Sequence, residues 1–257
     1  MRVTFLGTGT SNGVPMVACA CAVCRSDNPH NKRLRSSVWL EKNQTSLLID
    51  ASSDFRQQAL THNILAVDSV LITHTHADHV FGLDEFRQFN IKYQKRINVY
   101  LSAEADQELR TTLRYMYETP RQKGGGVTAL DNHILQNYQT INIGEFSVTA
   151  LPIKHGLYEI FGYRVDNFAY LTDCSEIPEK TFEYLQDLDI LVLDALRNTP
   201  HPTHFSLAQA VAAARRLGAR QTYFTHIAHN LEHEATNQSL PENMQLAYDG
   251  LTLDLGG

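Results

Sequence analysis

The 257-residue sequence lacks any apolar run of the roughly 18 to 20 residues that a membrane-spanning helix requires. Met1 and Arg2 lead directly into the strand-like segment Val3–Leu6, with no apolar leader and cleavage site between them. Positive charge is also in deficit, since 22 Lys and Arg against 28 Asp and Glu give a formal net charge of −6. That balance excludes a general attraction for nucleic acid. We therefore expect a cytoplasmic protein with no membrane role that acts on a small substrate.

Cysteine is scarce, and three of the four cysteines stand together as Cys19, Cys21 and Cys24. This spacing is too tight for a disulfide framework, and cytoplasmic thiols are expected to stay reduced. Three thiolates supply most of a tetrahedral structural Zn²⁺ site, which needs a fourth ligand. The alternative is three unligated cysteines, although such close spacing has little packing value. Cys174 receives no role.

Strand-like and helix-like patterns alternate twice along the chain. Strands are predicted at Arg2 to Leu6, Ser37 to Glu41, Ser46 to Ile49, Ser69 to Ile72, Asn98 to Leu101, Thr140 to Ile143, Phe146 to Pro152, Phe161 to Val165, Phe168 to Leu171, Ile190 to Leu193 and Gln221 to Phe224. Helices are predicted at Leu83 to Phe89, Ala103 to Met116 and Leu207 to Leu217, the last capped by Ser206 and closed by Gly218. A loop is expected around Gly124 to Gly126, and a last strand with a tail at Asp249 to Gly257. No linker or repeat interrupts this order, so residues 1–257 are predicted to form a single α/β domain with two stacked sheets and outer helices.

A histidine and aspartate cluster follows the apolar segment Ser69 to Ile72. Because His74 and His76 alternate along the chain, they can reach one metal ion while Asp78 and His79 aim at a second. A chance polar cluster on a solvated turn explains three histidines and an aspartate within six positions poorly. Further candidates each follow an apolar strand: His155, Asp173 and His226.

The signature His74-x-His76-x-Asp78-His79, with the three downstream candidates, resembles the metallo-β-lactamase fold superfamily across essentially the whole chain. Phe5 to Thr10 and Leu48 to Ala51 resemble further elements of that family. The resemblance implies a four-layer αββα sandwich of two mixed β-sheets flanked by helices. It also implies two divalent ions, Zn²⁺ or Mn²⁺, with a shared hydroxide that attacks the substrate. By this resemblance, the first ion is held by His74, His76 and His155, the second by Asp78, His79 and His226, and Asp173 bridges them.

The cysteine loop is predicted to share its metal with His229. This residue lies three positions beyond His226, so that a short turn could send one histidine to each site. Together, the cysteine loop and the segment Thr225 to His229 resemble the phosphoribosyl cyclic phosphodiesterases of bacterial phosphonate degradation, in which the extra zinc is structural. The segment between Gln88 and Asn142 matches that family least, and we assign it no role.

His204 stands just before the predicted helix Leu207 to Leu217 and is a candidate general acid. His204 and Asp78 are the two residues predicted to be catalytic. A lone loop histidine is often a surface residue, but phosphodiesterases of the resembled fold use a histidine at the matching place. Asp50 and Asp194 are predicted to orient imidazole N–H groups or the metal-binding loop rather than bind metal. Four side chains flank the predicted ligands and could contact a phosphate, with a solvated surface role as the alternative for each: Lys154, Tyr158, Arg164 and Arg197.

These patterns predict a binuclear metal-dependent hydrolase of small, cyclic phosphodiesters. A tRNA 3′-processing endonuclease is the main enzymatic rival, and the net charge and the lack of a basic arm speak against it. Attack on thioesters or lactams is chemically available to the same centre. A non-hydrolytic accessory protein, like the pyrroloquinoline quinone biosynthesis protein, is disfavoured because all seven ligand positions are filled. Relatives form homodimers, which makes a homodimer a further expectation.

Overall fold

Fourteen strands pair into two seven-stranded sheets in the computed structural model, which describes residues 1–118 and 126–256. In chain order the strands are β1 (Arg2–Gly7), β2 (Ser37–Lys42), β3 (Thr45–Ile49), β4 (Ser69–Leu71), β5 (Ile97–Leu101), β6 (Leu130–Ile134), β7 (Thr140–Ile143), β8 (Phe146–His155), β9 (Tyr158–Val165), β10 (Phe168–Leu171), β11 (Ile190–Asp194), β12 (Gln221–Thr225), β13 (Met244–Leu246) and β14 (Thr252–Asp254). The α-helices are α1 (Ala22–Arg25), α2 (Phe55–Thr61), α3 (Ala77–Val80), α4 (Arg87–Tyr93), α5 (Ala103–Thr112), α6 (Glu179–Glu183), α7 (Leu207–Leu217) and α8 (His233–Ser239). Three 3₁₀ turns lie at Pro29–Asn31, Phe81–Phe86 and Arg114–Met116.

Each sheet is half antiparallel and half parallel. The first has the order β14-β1-β2-β3-β4-β5-β6, with antiparallel pairing as far as β3 and parallel pairing beyond it. The second has the order β13-β12-β11-β10-β9-β8-β7, with parallel pairing as far as β10 and antiparallel pairing beyond it. Both sheets are therefore mixed, as expected.

Three apolar layers hold the sheets and helices together. The inner faces of the two sheets meet in a core that includes Phe5 and Leu47 from the first sheet and Tyr163 and Val192 from the second. A second layer packs the first sheet against α2 and α5, and a third packs the second sheet against α6 and α7. Burial of both faces of each sheet explains why the strands have nearly continuous apolar sequences. The predicted four-layer αββα sandwich is confirmed.

Local sequence signals predicted some elements better than others. Helix α7 has the predicted bounds, with a capping box between Ser206 and Gln209 and a left-handed Gly218 after its last turn. The predicted helix Leu83 to Phe89 is instead a 3₁₀ turn that continues into α4, and the helix begun at Ala103 ends at Thr112. Strand β6 was not predicted, since only Leu130 is buried in it and no alternating pattern marks it.

The loop predicted at Gly124 to Gly126 lies mostly outside the described residues. Among the helices of residues 1–118 and 126–256, none is long and apolar enough to cross a membrane.

Strand ends bring the candidate residues to one edge of the sandwich. Asp50 follows β3, Asp173 follows β10 and His226 follows β12, each within two residues of the strand end. All three have left-handed backbone conformations, with φ of 61°, 54° and 58°. Such conformations are uncommon outside glycine and cluster at functional sites, because the surrounding structure must stabilise them.

Candidate metal centre

Three histidines form the first donor group at this edge. The Nε2 atom of His74 lies 2.9 Å from the Nδ1 atom of His76, and one ring nitrogen from each of His74, His76 and His155 lies within 4.8 Å of the others. His155 donates its Nδ1 proton to the carbonyl oxygen of Thr203 at 2.9 Å. That bond fixes the tautomer and leaves Nε2 of His155 unprotonated for a metal ion.

Asp78, His79 and His226 form a second donor group beside the first. The Nε2 atoms of His79 and His226 lie 3.2 and 3.6 Å from Oδ2 of Asp78. Asp173 stands between the groups, since its oxygens lie 3.2 Å from His79, 3.3 Å from His226 and 4.0 Å from His74. The carboxylate of Asp173 can therefore reach an ion in either group.

The arrangement of the donor atoms suits coordination of divalent cations better than hydrogen bonding between the donor atoms themselves. The buried Nε2 atoms of His79 and His226 have no hydrogen-bond partner among the described residues, and a buried polar atom left in this state costs about 1–3 kcal/mol. Ligand atoms of a tetrahedral zinc ion lie roughly 3.3 Å apart, given bonds of about 2.0–2.1 Å to nitrogen. The separations observed here agree with that spacing. The histidine and carboxylate donors suit zinc, manganese or iron.

The carboxylates give the centre a negative field that attracts cations. Burial disfavours the charged form of His226, but Asp173 and Asp78 outweigh it and raise its pKa to about 9. At His79, burial is likewise outweighed by nearby carboxylates, which raise the pKa of His79 well above its ordinary value. His74 lies among other histidines, and burial, together with the charge of His79, lowers its pKa well below the ordinary value. Bound metal ions would take the place of the protons that His79 and His226 otherwise attract.

Two further aspartates hold imidazole rings at the centre from behind, Asp50 on the predicted ligand His79 and Asp194 on His204. Asp50 is fully buried and accepts hydrogen bonds from the backbone N–H and hydroxyl of Thr73 and from Nδ1 of His79, at 2.9, 2.8 and 2.7 Å. Asp194 accepts hydrogen bonds from the Cys174 N–H at 2.9 Å and from Nδ1 of His204 at 2.8 Å. These contacts match the orienting roles that the sequence predicted for Asp50 and Asp194.

His204 lies against both donor groups. Its ring stacks on His226 with centroids 4.8 Å apart, and meets the ring of His155 edge-on, also at 4.8 Å. Because Nδ1 of His204 carries the proton donated to Asp194, the Nε2 atom on the other side of the ring is the one that exchanges a proton. Burial, together with the charge of His226, lowers the pKa of His204 to about 4. The ring is then neutral at pH 7 unless negative charge binds beside it.

The three clustered cysteines and His229 form a separate donor group. The Nδ1 atom of His229 lies 3.2 Å from the sulfur of Cys19, 3.4 Å from that of Cys21 and 3.6 Å from that of Cys24. Bonds of about 2.3 Å to sulfur and 2.0–2.1 Å to nitrogen place such atoms roughly 3.6 Å apart in a tetrahedral zinc site. Burial raises the pKa of the Cys24 thiol, and a zinc ion would instead hold it as a thiolate.

Two cavities open beside the active centre. The acidic cavity, of about 140 Å³, is lined by His74, His76 and His155 together with three glutamates: Glu104, Glu108 and Glu159. The Arg197 cavity, of about 260 Å³, is lined by Arg197, His201 and His204 and by the loop of Thr10 to Gly13. The first donor group therefore lines the acidic cavity, whereas the Arg197 cavity reaches the centre through His204.

Comparison with known proteins identifies the family. Residues 45–227 match the model of the β-lactamase superfamily domain. The chain belongs to the metallo-β-lactamase superfamily. Within that superfamily it is PhnP-like, since a crystal structure described as a new diphosphatase from the PhnP family shares 42% sequence identity and a TM-score of 0.92, over 99% of this chain and 98% of that one.

Two further relatives are longer than this chain. An octanoyltransferase of Porphyromonas gingivalis is 35% identical over 98% of this chain and 51% of its own length. A ribonuclease Z of Staphylococcus haemolyticus is 30% identical over 65% of this chain and 50% of its own length. The chain therefore spans about half the length of each of these proteins.

The seven ligand positions predicted from the metallo-β-lactamase signature lie together in the structure, and so do the four positions predicted for the structural zinc. Arg164 does not face either cavity. Its guanidinium donates to the backbone oxygens of Asp166, Tyr184 and Gln186, so it braces the second sheet rather than a substrate.

Thr73 and Glu108 contact the candidate site, although the sequence analysis did not single them out. Thr73 links Asp50 to His74, because its hydroxyl lies 3.0 Å from Nδ1 of His74, and Glu108 accepts a hydrogen bond from Thr75 at the cavity rim. The position of Thr73, directly before the first ligand, was the available signal for its role. Glu108 lies 33 residues from Thr75 and had no such signal.

Proposed function

We propose that the protein is a binuclear metal-dependent phosphodiesterase that hydrolyses small phosphodiesters. One observation carries the proposal: Asp173 stands between two histidine-containing donor groups, with the His204–Asp194 pair directly against both. Two bound ions would supply a nucleophile at neutral pH and take up charge from the phosphoryl oxygens. This combination suits in-line displacement at phosphorus.

The protein side chains divide the remaining work. His74, His76 and His155 on one side, and Asp78, His79 and His226 on the other, would hold the ions, with Asp173 shared between them. A bound phosphodiester adds negative charge beside His204 and favours its protonated form, which Asp194 stabilises through Nδ1. His204 can then give the proton on Nε2 to the leaving oxygen.

The test is hydrolysis of bis-p-nitrophenyl phosphate, 2′,3′-cyclic nucleotides and ribose 1,2-cyclic phosphate by the metal-free protein after addition of Mn²⁺ or Zn²⁺. Turnover of these small diesters, abolished in His76→Ala and Asp78→Ala variants with unchanged circular dichroism, supports the proposal. Full activity of the Asp78→Ala variant would contradict the two-metal arrangement. A diphosphate such as ADP-ribose belongs in the panel because the PhnP-family neighbour is described as a diphosphatase.

Carbonyl hydrolysis is a second candidate function. Similarity to half of an octanoyltransferase favours it, because a metal-activated nucleophile also attacks esters and thioesters. Octanoyl thioesters and p-nitrophenyl octanoate test it directly. Turnover of these compounds alone would replace the phosphodiesterase proposal.

Cleavage of tRNA precursors is the rival that the ribonuclease Z similarity favours. The formal net charge of −6 opposes it, because RNA affinity depends on neutralisation of backbone phosphates. A tRNA precursor is therefore included in the same panel. Cleavage of the precursor without turnover of small diesters would favour the endonuclease.

A further inference from the structure

The cysteine loop, which spans residues 15–24, is held by its metal donors rather than by apolar packing. None of residues 15–23 is buried, and none of residues 15–24 belongs to the three apolar layers of the fold. A surface segment with so few buried apolar contacts opens locally at low free energy unless other bonds hold it. A zinc ion would supply such bonds through the four donors of this site: Cys19, Cys21, Cys24 and His229.

Cys21 and Cys24 stand next to each other at the start of α1. The backbone N–H of Cys24 donates to Sγ of Cys21 at 3.4 Å, and the two sulfur atoms lie within 4.8 Å of each other. Residues three apart in a helical turn lie on the same side of the turn. The same Cys-x-x-Cys spacing recurs in redox-active dithiols. The pair is therefore placed to form a disulfide bond.

The two sulfur atoms differ in their exposure to solvent. Cys21 is half-buried, whereas Cys24 is only 5% exposed and its Sγ accepts the N–H of Met16 at 3.4 Å. Cys19 is also half-buried, but it lies outside the turn that carries Cys24. Zinc ligation keeps the sulfur atoms as thiolates, the form that reacts with peroxides. A peroxide from solvent therefore reaches the Cys21 thiolate before that of Cys24.

The cysteine loop also borders the Arg197 cavity. Met16 from the loop and His229 from the opposite side both line that cavity. His226 has a separate anchor, because the next residue, Ile227, donates its N–H to the carbonyl oxygen of Thr8 at 2.9 Å. Opening of the cysteine loop would therefore change the wall of the cavity and leave the donors of the active centre in place.

We propose that Cys21 and Cys24 form a site of reversible oxidation by hydrogen peroxide, at which a disulfide bond releases the zinc ion and opens the cysteine loop. The Cys21 thiolate first attacks the peroxide, the O–O bond breaks, the sulfur becomes a sulfenic acid and hydroxide leaves. The Cys24 thiolate then attacks that sulfur, the S–S bond forms and a second hydroxide leaves. The two thiolates lose two electrons, which reduce one peroxide. This proposal does not depend on the phosphodiesterase function.

The experiment uses the full chain with Zn²⁺ in the cysteine site and Mn²⁺ in the active centre, so that released zinc reports on the cysteine site alone. Hydrogen peroxide should release one zinc ion per chain to a chromogenic chelator and consume two of the four free thiols. The mass should fall by about 2 Da, and peptide mapping should place the disulfide between Cys21 and Cys24. The manganese content should stay constant. Dithiothreitol with added Zn²⁺ should reverse every change.

Cys174→Ala is the matched control, because Cys174 is fully buried and lies outside the cluster. This variant should release zinc at the wild-type rate. Cys24→Ala should instead accumulate a sulfenic acid on Cys21, which dimedone traps. Opening of the loop is measured by trypsin, since Arg25 is exposed at the end of α1. Cleavage after Arg25 should be faster in the oxidised protein than in the zinc-bound protein.

Several results would overturn the proposal. One is retention of zinc after peroxide treatment. Another is release of zinc with sulfinic or sulfonic acids, or with a disulfide that includes Cys19 or Cys174. Loss of manganese together with zinc would contradict an opening confined to the cysteine loop. An unchanged rate of cleavage after Arg25 would show that oxidation does not open the loop. Because the peptide mapping is done on the wild type, it decides the pair even if Cys24→Ala does not fold.

Discussion

Replacement of Asp50 by asparagine isolates the effect of one buried charge on the metal centre. The asparagine would keep the size of the side chain and tolerate the left-handed backbone, with φ of 61° at this position. The wild-type carboxylate accepts three hydrogen bonds, one of them from Nδ1 of His79 at 2.7 Å. An amide has one oxygen acceptor, so its NH₂ group must face either the N–H of Thr73, at the Oδ1 position, or the hydroxyl of Thr73 and the ring of His79, at the Oδ2 position.

The expected effect on metal binding is large. Loss of a hydrogen bond to a charged group costs about 1.5–3 kcal/mol, and loss of a residue that orients a metal ligand typically weakens metal affinity by about 10–100-fold. We expect Asp50→Asn to retain its circular dichroism spectrum and to require roughly that much more free Mn²⁺ for half-maximal hydrolysis of bis-p-nitrophenyl phosphate. Competition with a metal chelator measures the same shift without activity.

Asp187→Asn provides the control, because Asp187 is exposed and has a similar backbone conformation, with φ of 56°. This variant should bind metal as the wild type does. Wild-type metal affinity in Asp50→Asn would refute the argument that the Asp50 carboxylate orients His79.

Three further predictions follow from other contacts. Cys24→Ser should lose one zinc ion per chain by elemental analysis and lower the melting temperature, because binding of a structural zinc contributes to folding; an unchanged zinc content would exclude Cys24 as a ligand. His204→Ala should reduce kcat by about 10²–10⁴-fold for diesters with alkoxide leaving groups but much less for p-nitrophenyl esters, which leave without a proton; equal losses on both would contradict a general acid. Burial raises the pKa of Asp249 from 3.8 to about 6, although Thr8, Leu34 and Arg33 oppose it. The native state therefore binds the proton more tightly than the unfolded state, and stability from this group is lost as pH rises through 6. Between pH 5 and 7 the free energy of unfolding should fall by about 1 kcal/mol more in the wild type than in Asp249→Asn, as measured by urea denaturation; parallel pH profiles would contradict it.

Short-range patterns in the sequence were sufficient for several parts of the protein. The capping box at Ser206 and the left-handed Gly218 are local contacts, so the bounds of α7 followed from the sequence alone. The cluster from His74 to His79 was also recognisable, because its residues are adjacent and follow a buried strand. The alternation of strand and helix patterns predicted the stacked sheets for the same reason.

The tertiary structure decided contacts that no local pattern predicted. Thr75 and Glu108 lie 33 positions apart in sequence yet are in contact, whereas the pairing of the cysteine loop with His229, 210 positions from Cys19, was already a prediction from the sequence. Arg164 and Arg197 both flank predicted ligands, but Arg164 braces backbone carbonyls while Arg197 lines the cavity beside His204. A side chain's direction depends on the register of its strand or loop and on long-range packing. These contacts join residues far apart in the chain, and a local sequence pattern contains no information about them.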